Sequence, residues 1–172
     1  FLSAGIEEVE YLHKKGLTLN GHPRIFAQTS LVLVMSSDSP AALMSLRHAL
    51  VNRSIRIALG DPQTSSLGDV TARVLAKLSP AYKNRPNILY ASHSDDIMNL
   101  IRTGKADVGL VYRVDSINSG HVRISDEDPI GTFVPIQFGQ AVSSTCRASL
   151  RLVAEKFSDF LMTPRIQKLL AK

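Results

Sequence analysis

Cysteine is nearly absent. Cys146 stands alone in 172 residues, so no intramolecular disulfide can form, and cysteine usage neither supports nor excludes an oxidising compartment. A lone thiol of this kind reads as a small core residue. No apolar run approaches the roughly 20 residues that a bilayer-crossing helix needs. Charge of one sign is not concentrated either: the formal net charge of +5 is spread along the chain, without the basic run that follows nucleic-acid phosphates, so nucleic acid is not an expected partner. Enzyme signatures are missing as well. There is no G-x-S-x-G elbow to fix a triad of Ser66, His93 and Asp95, no Walker loop and no G-x-G-x-x-G fingerprint. The five histidines, His13, His22, His48, His93 and His121, show no H-x-H or H-E-x-x-H spacing, so surface or cap roles are expected of them and no metal site. Neither catalysis nor a cofactor is expected. The chain opens on Phe1-Leu-Ser-Ala with no methionine, basic leader or apolar signal region, which reads as removal of whatever came before.

What is present is a pattern of strands alternating with helices, which predicts an α/β fold with a largely parallel sheet. Ile6, Val9 and Leu12 share one face of a helix that Gly16 can end. Leu31 to Met35 is a continuous apolar run, suited to a strand buried on both faces. Ser39-Pro40 has the chemistry of a helix start, predicting a helix to about Leu50. Strands are then expected near Ile55–Leu59, Asn87–Ala91, Val108–Tyr112 and Val122–Ile124. Helices are expected around Val70–Leu78 and from Ser94 to a stop at Gly104. Thr132 to Val142 reads as an extended return segment, and Pro135 and Gly139 suggest an edge or a crossing. The remainder is helical and split at Thr163-Pro164. Arg147, Arg151, Lys156, Arg165, Lys168 and Lys172 mostly fall on its solvated polar positions.

Two segments bring a helix start to the carboxyl end of a strand, where open α/β sheets hold their ligands. They are Ser65-Ser-Leu-Gly68 and His93-Ser-Asp95. A helix N-terminus presents N–H donors and a positive dipole end, so it can hold an anion without a charged side chain. Ser66 and Ser94 are candidates on that ground, and each also fits a plain helix cap. Tyr112, ending its strand, would bring a hydroxyl to the same crevice edge, or belong to the core.

Taken in order, these residues resemble the molybdate-binding protein family of ABC transporters. Phe1-Leu-Ser-Ala resembles D-V-F-x-S-A, and Leu31 to Met35 is similar to an L-V-L-V crossing strand. Ile57-Ala-Leu-Gly-Asp-Pro62, followed by Gly68, is similar to I-A-I-G-D-P. Gly104-Lys-Ala-Asp-Val-Gly-Leu-Val-Tyr112 is similar to G-E-A-D-A-G-I-V-Y, with Asp115 beyond, and Phe157-Ser-Asp-Phe-Leu-Met-Thr-Pro164 to F-L-D-F-L-x-S-P. The resemblance implies a type II periplasmic binding protein of two lobes with mainly parallel sheets, closing like a hinge on a tetrahedral oxyanion such as molybdate or tungstate. Lobe two would be 36–131. Lobe one would be 1–35 with 132–172, incomplete because the family's amino-terminal segment, with its two serine ligands, has no counterpart. Carried over by position, the backbone N–H groups of Leu67 and Ser94 and the hydroxyl of Tyr112 would hold the ligand, beside Ser66. The implied partners are the oxyanion and the membrane component of an ABC transporter, in a periplasmic or extracellular location, with a homodimer through the incomplete lobe. A ligand-sensing domain of a transcription regulator is the alternative reading, since that role uses the same fold.

Overall fold

The computed structural model describes residues 1–172 apart from Ala4, Asn20, His22, Ser79, Asn118, 130–134 and 171–172, and describes Pro80 and Ala81 by their backbone alone. The roles expected of His22, of Lys172 and of 132–134, and the lobe boundary expected at 131/132, therefore lie outside the described residues. The chain divides into two compact units, Phe1–Thr29 with Pro135–Lys172, and Ser30–Val134.

The first unit opens with β1 (Leu2–Ser3), α1 (Ile6–Lys14) and β2 (Arg24–Thr29). Helix α1 buries Val9 completely. It ends at Gly16, whose φ of +69° lets the Leu17 N–H turn back to the Leu12 carbonyl at 3.0 Å, a closure that glycine makes without a Cβ clash.

In the second unit come β3 (Leu31–Ser36), α2 (Leu46–Val51), β4 (Ile57–Gly60), α3 (Ser66–Leu78), β5 (Ile88–Ala91), α4 (Ser94–Arg102), β6 (Val108–Tyr112), α5 (Arg113–Ile117) and β7 (Val122–Asp126), with a 3-10 turn at Pro80–Asn84. Its sheet has the order β5-β4-β6-β3-β7. Strand β4 is parallel to both its neighbours, whereas β3 is antiparallel to β6 and to β7. The sheet is thus mixed, and the parallel pairing expected from the alternation is confined to β5-β4-β6. Those strands are linked by α3 and α4, the crossovers that parallel neighbours require. Strand β3, expected to lie with the first lobe, sits instead between β6 and β7, which fits an apolar run buried on both faces. Leu33, Met35, Leu46, Ile57, Leu59, Leu75, Val108 and Leu110 form the core beneath it.

The helix expected from Ser39-Pro40 begins later, at Leu46. Side chains of β7 hold the approach in a non-helical path: the Ser125 hydroxyl accepts the Met44 N–H at 2.7 Å, and the Arg123 guanidinium donates to the carbonyls of Ser39 and Ala41. Ser45 is then the cap, its hydroxyl accepting from the His48 N–H, and the Asp126 carboxylate accepts from the Leu46 N–H. At the other end of α2 the Arg85 guanidinium donates to the carbonyls of Ala49, Leu50, Asn52 and Ile55. Burial lowers its pKa, with Arg53 adding to the effect. Ahead of β4 and β6, Arg56 and Asp107 make a two-pronged ion pair at 2.6 and 3.1 Å, which holds the Asp107 carboxyl below its ordinary pKa through hydrogen bonding to Arg56.

The chain returns to the first unit as β8 (Ile136–Gln140), α6 (Ala148–Leu161) and α7 (Pro164–Leu170). Its sheet is antiparallel with the order β1-β8-β2. Strand β8 is therefore central among the described strands rather than at an edge. Pro135 precedes the strand, where its missing N–H breaks no ladder bond. Gly139 leaves room for α1, since a Cβ there would stand 2.8 Å from Ile6 and Val9 side-chain carbons. Cys146, expected in the core, is half-buried.

Candidate functional site

Strands β4, β5 and β6 run side by side in register, Gly60 opposite Ala91 and Ile57 opposite Val108, so their carboxyl ends reach the same end of the sheet. The loops leaving those ends lead to the starts of α3, α4 and α5. Together they line an open recess of about 350 Å³ formed by Ser65, Ser66, Leu67, Ser92, His93, Ser94, Asp95, Tyr112 and Asp115. All four residues singled out from the sequence, Ser66, Leu67, Ser94 and Tyr112, are thus on one surface of the second unit.

The first corner is built by close backbone approach. A Cβ on Gly60 would lie 2.6 Å from the Gly68 nitrogen, and one on Gly68 would lie 2.2 Å from the Asp61 carbonyl carbon and oxygen. Glycine at both positions lets the first turn of α3 sit directly on the end of β4. Asp61 shapes the loop between them, its carboxylate accepting the Gln63 N–H at 2.9 Å and its carbonyl the Ser65 N–H at 3.1 Å. Ser65, not Ser66, takes the cap: its hydroxyl accepts from the Gly68 N–H at 3.1 Å and its carbonyl from the Asp69 N–H at 3.1 Å. Ser66 and Leu67 are therefore the first two helical residues, whose N–H groups have no acceptor inside the helix. Leu67 is 3% exposed, so it lines the recess with little of the residue open to solvent.

The second corner repeats the arrangement one residue off the expected position. His93 takes the cap of α4, with extended backbone (φ −135°, ψ 160°). Its own N–H is taken by the Asp96 carboxylate at 3.2 Å, and its carbonyl accepts from the Ile97 N–H. Ser94 and Asp95 are then the first two helical residues, and their N–H groups have no acceptor inside the helix. The hydroxyls of Ser66 and Ser94, relieved of capping, are available to the recess. Tyr112 closes the third side from the end of β6 and is half-buried.

Among the described residues that line the recess there is no lysine or arginine, whereas Asp95 and Asp115 are present. Any positive potential there comes from the ends of α3 and α4, about half an elementary charge each. Such a surface can hold a small anion through backbone N–H groups and hydroxyls. Ser92 lies outside the segments singled out from the sequence, and the cap falls on Ser65 and His93 rather than Ser66 and Ser94 because a cap is decided by which carbonyl accepts the first helical bond, a choice that S-S and H-S strings leave open.

Comparison with known proteins agrees with this geometry. Residues 1–172 match the family described as bacterial extracellular solute-binding protein. The chain is 29% identical over 142 residues to YvgL of Bacillus subtilis (strain 168), which is named as an ABC transporter substrate-binding lipoprotein, covering 83% of this chain and 52% of that one. It is 28% identical over 118 residues to the molybdate-binding protein ModA of Mycobacterium tuberculosis (strain H37Rv), covering 69% of this chain and 43% of that one. The chain thus spans about half the length of these relatives. Among solved structures, the substrate-binding domain of a molybdenum ABC transporter from Clostridium difficile superposes with a TM-score of 0.79 at 25% identity, over 99% of this chain and 73% of that one. The periplasmic molybdate-binding protein of Azotobacter vinelandii superposes with a TM-score of 0.76 at 22% identity, over 99% and 74%, which adds support for the fold.

Proposed function

Because this chain belongs to the bacterial extracellular solute-binding protein family, we propose that it carries the anion-binding recess of a solute-binding protein working outside the cytoplasmic membrane. The ligand is a tetrahedral oxyanion of the molybdate or tungstate kind, passed on to the membrane component of an ABC transporter. The backbone N–H groups of Leu67 and Ser94 and the hydroxyls of Ser66 and Tyr112 are the contacts assigned to it. The reading is of a binding protein rather than an enzyme, in keeping with the family.

The observation that carries the proposal is convergence: two helix N-termini and a tyrosine meet at the carboxyl ends of three adjacent strands. Selection would come from anion size and fixed donor geometry rather than from counter-charge. What relatives are named for binding also supports molybdate over other oxyanions. A second proposal concerns assembly, a homodimer through the exposed apolar side chains of α6.

The test is a thermal-shift and calorimetric titration of the chain with molybdate, tungstate, sulfate and phosphate. At about one hundred times Kd a ligand that binds only the folded state adds about 2.7 kcal/mol of stability, which raises Tm by about 5–10 °C for a chain of this size. Molybdate and tungstate are expected to give that rise at lower concentration than sulfate or phosphate, and Tyr112→Phe to reduce it. No response to any of the four removes the reading.

A further inference from the structure

We propose that Asp95 sets the charge preference of the recess, disfavouring doubly charged oxyanions relative to singly charged ones of the same shape. The inference rests on the oxyanion reading above and deepens it. The ionisable side chains lining the recess are His93, Asp95, Tyr112 and Asp115, with neither lysine nor arginine among the lining residues. Asp95 is the second residue of α4 and is exposed. Asp95 thus lines the recess at the helix start whose N–H donors an anion would use.

The neighbouring Asp96 has a different position. Its carboxylate accepts the His93 N–H at 3.2 Å, and it is not among the residues lining the recess. The two adjacent acids thus differ: Asp95 lines the recess, whereas the Asp96 carboxylate caps the helix. Both favour the helix dipole to a similar degree, so a general effect of first-turn charge would appear at either position. Of these two acids, an effect of charge lining the recess would appear at Asp95 and not at Asp96.

Coulomb repulsion scales with the charge of the anion, so a dianion feels the Asp95 carboxylate twice as strongly as a monoanion at the same place. Molybdate and perrhenate make the comparison: both are tetrahedral oxyanions of nearly equal size, carrying two charges and one. Asp95→Asn removes the charge and keeps the shape.

The experiment is calorimetry of the 172-residue chain, of Asp95→Asn and of Asp96→Asn with both anions, at low ionic strength, where screening is weak. Asp95→Asn is expected to tighten molybdate by about tenfold and perrhenate by about threefold, the ratio following from the charge dependence. Asp96→Asn is expected to leave the molybdate-to-perrhenate ratio unchanged, and Asp95→Ser to repeat the change made by Asp95→Asn. Equal gains for the two anions, no gain, or the same ratio change in Asp96→Asn would overturn the assignment while leaving the oxyanion reading intact. Failure of all the chains to bind either anion would overturn both.

Discussion

Gly68 is the residue on which the geometry of the recess most depends. A methyl group at this position would lie 2.2 Å from the Asp61 carbonyl, far inside van der Waals contact, and its neighbours are backbone atoms that cannot swing aside. Gly68→Ala is expected to push the first turn of α3 off the end of β4, at the cost typical of overpacking, about 1–3 kcal/mol. Thermal unfolding should show a lower Tm. Calorimetry should show a larger loss of anion binding than a substitution of equal destabilisation elsewhere in the unit. An unchanged Tm would mean the loop at Asp61-Pro62 relaxes freely. At this scale the sequence was partly informative. Gly60, Gly68 and Tyr112 are visible as a spaced pattern, and Ser66, Leu67, Ser94 and Tyr112 all line the one recess. The capping roles of Ser65 and His93 were displaced by one residue, because propensity cannot distinguish adjacent serines while a hydrogen bond can.

Among the elements, α2 shows how far tertiary contacts override local signals. Ser39-Pro40 has the chemistry of a helix start, yet the backbone there is held by Ser125 and Arg123, and the helix begins only at Leu46. Its other end depends on Arg85, more than thirty residues away, whose guanidinium donates to the carbonyls of Ala49, Leu50, Asn52 and Ile55. Hydrogen bonds from a charged donor are worth more than neutral ones, and carbonyls left without a partner add a desolvation cost. Arg85→Met is therefore expected to lower stability by about 2 kcal/mol, measured by urea unfolding with an unchanged m-value. Anion affinity should be unaffected, since Arg85 is not among the residues lining the recess. A loss below about 0.5 kcal/mol would show that water replaces the guanidinium at these carbonyls. No sequence signal pointed to Arg85, because its partners are backbone atoms that any residue carries.

For the whole molecule, the strongest unresolved demand is the apolar surface of the first unit. None of the described residues of α6 is buried, and Val153, Phe157 and Phe160 are 63%, 49% and 50% exposed. Clustered apolar surface of this kind favours association. Light scattering after gel filtration is expected to give a mass twice that of one chain, and the double substitution Phe157→Glu with Phe160→Glu to return it to the value for one chain. A single-chain mass at high protein concentration would remove the dimer. The sequence by itself determined the α/β class, the buried character of Leu31 to Met35, the closures at Gly16 and Gly104 and the break at Thr163-Pro164. Each of these depends on residues within a turn or two of chain, where periodicity, caps and glycine act. Only the tertiary structure decided that β8 is central, that β3 lies between β6 and β7, and that the ends of β4, β5 and β6 meet at one recess. Those outcomes follow from pairing between strands distant in sequence, which depends on long-range packing and hydrogen bonding and leaves no local pattern to read.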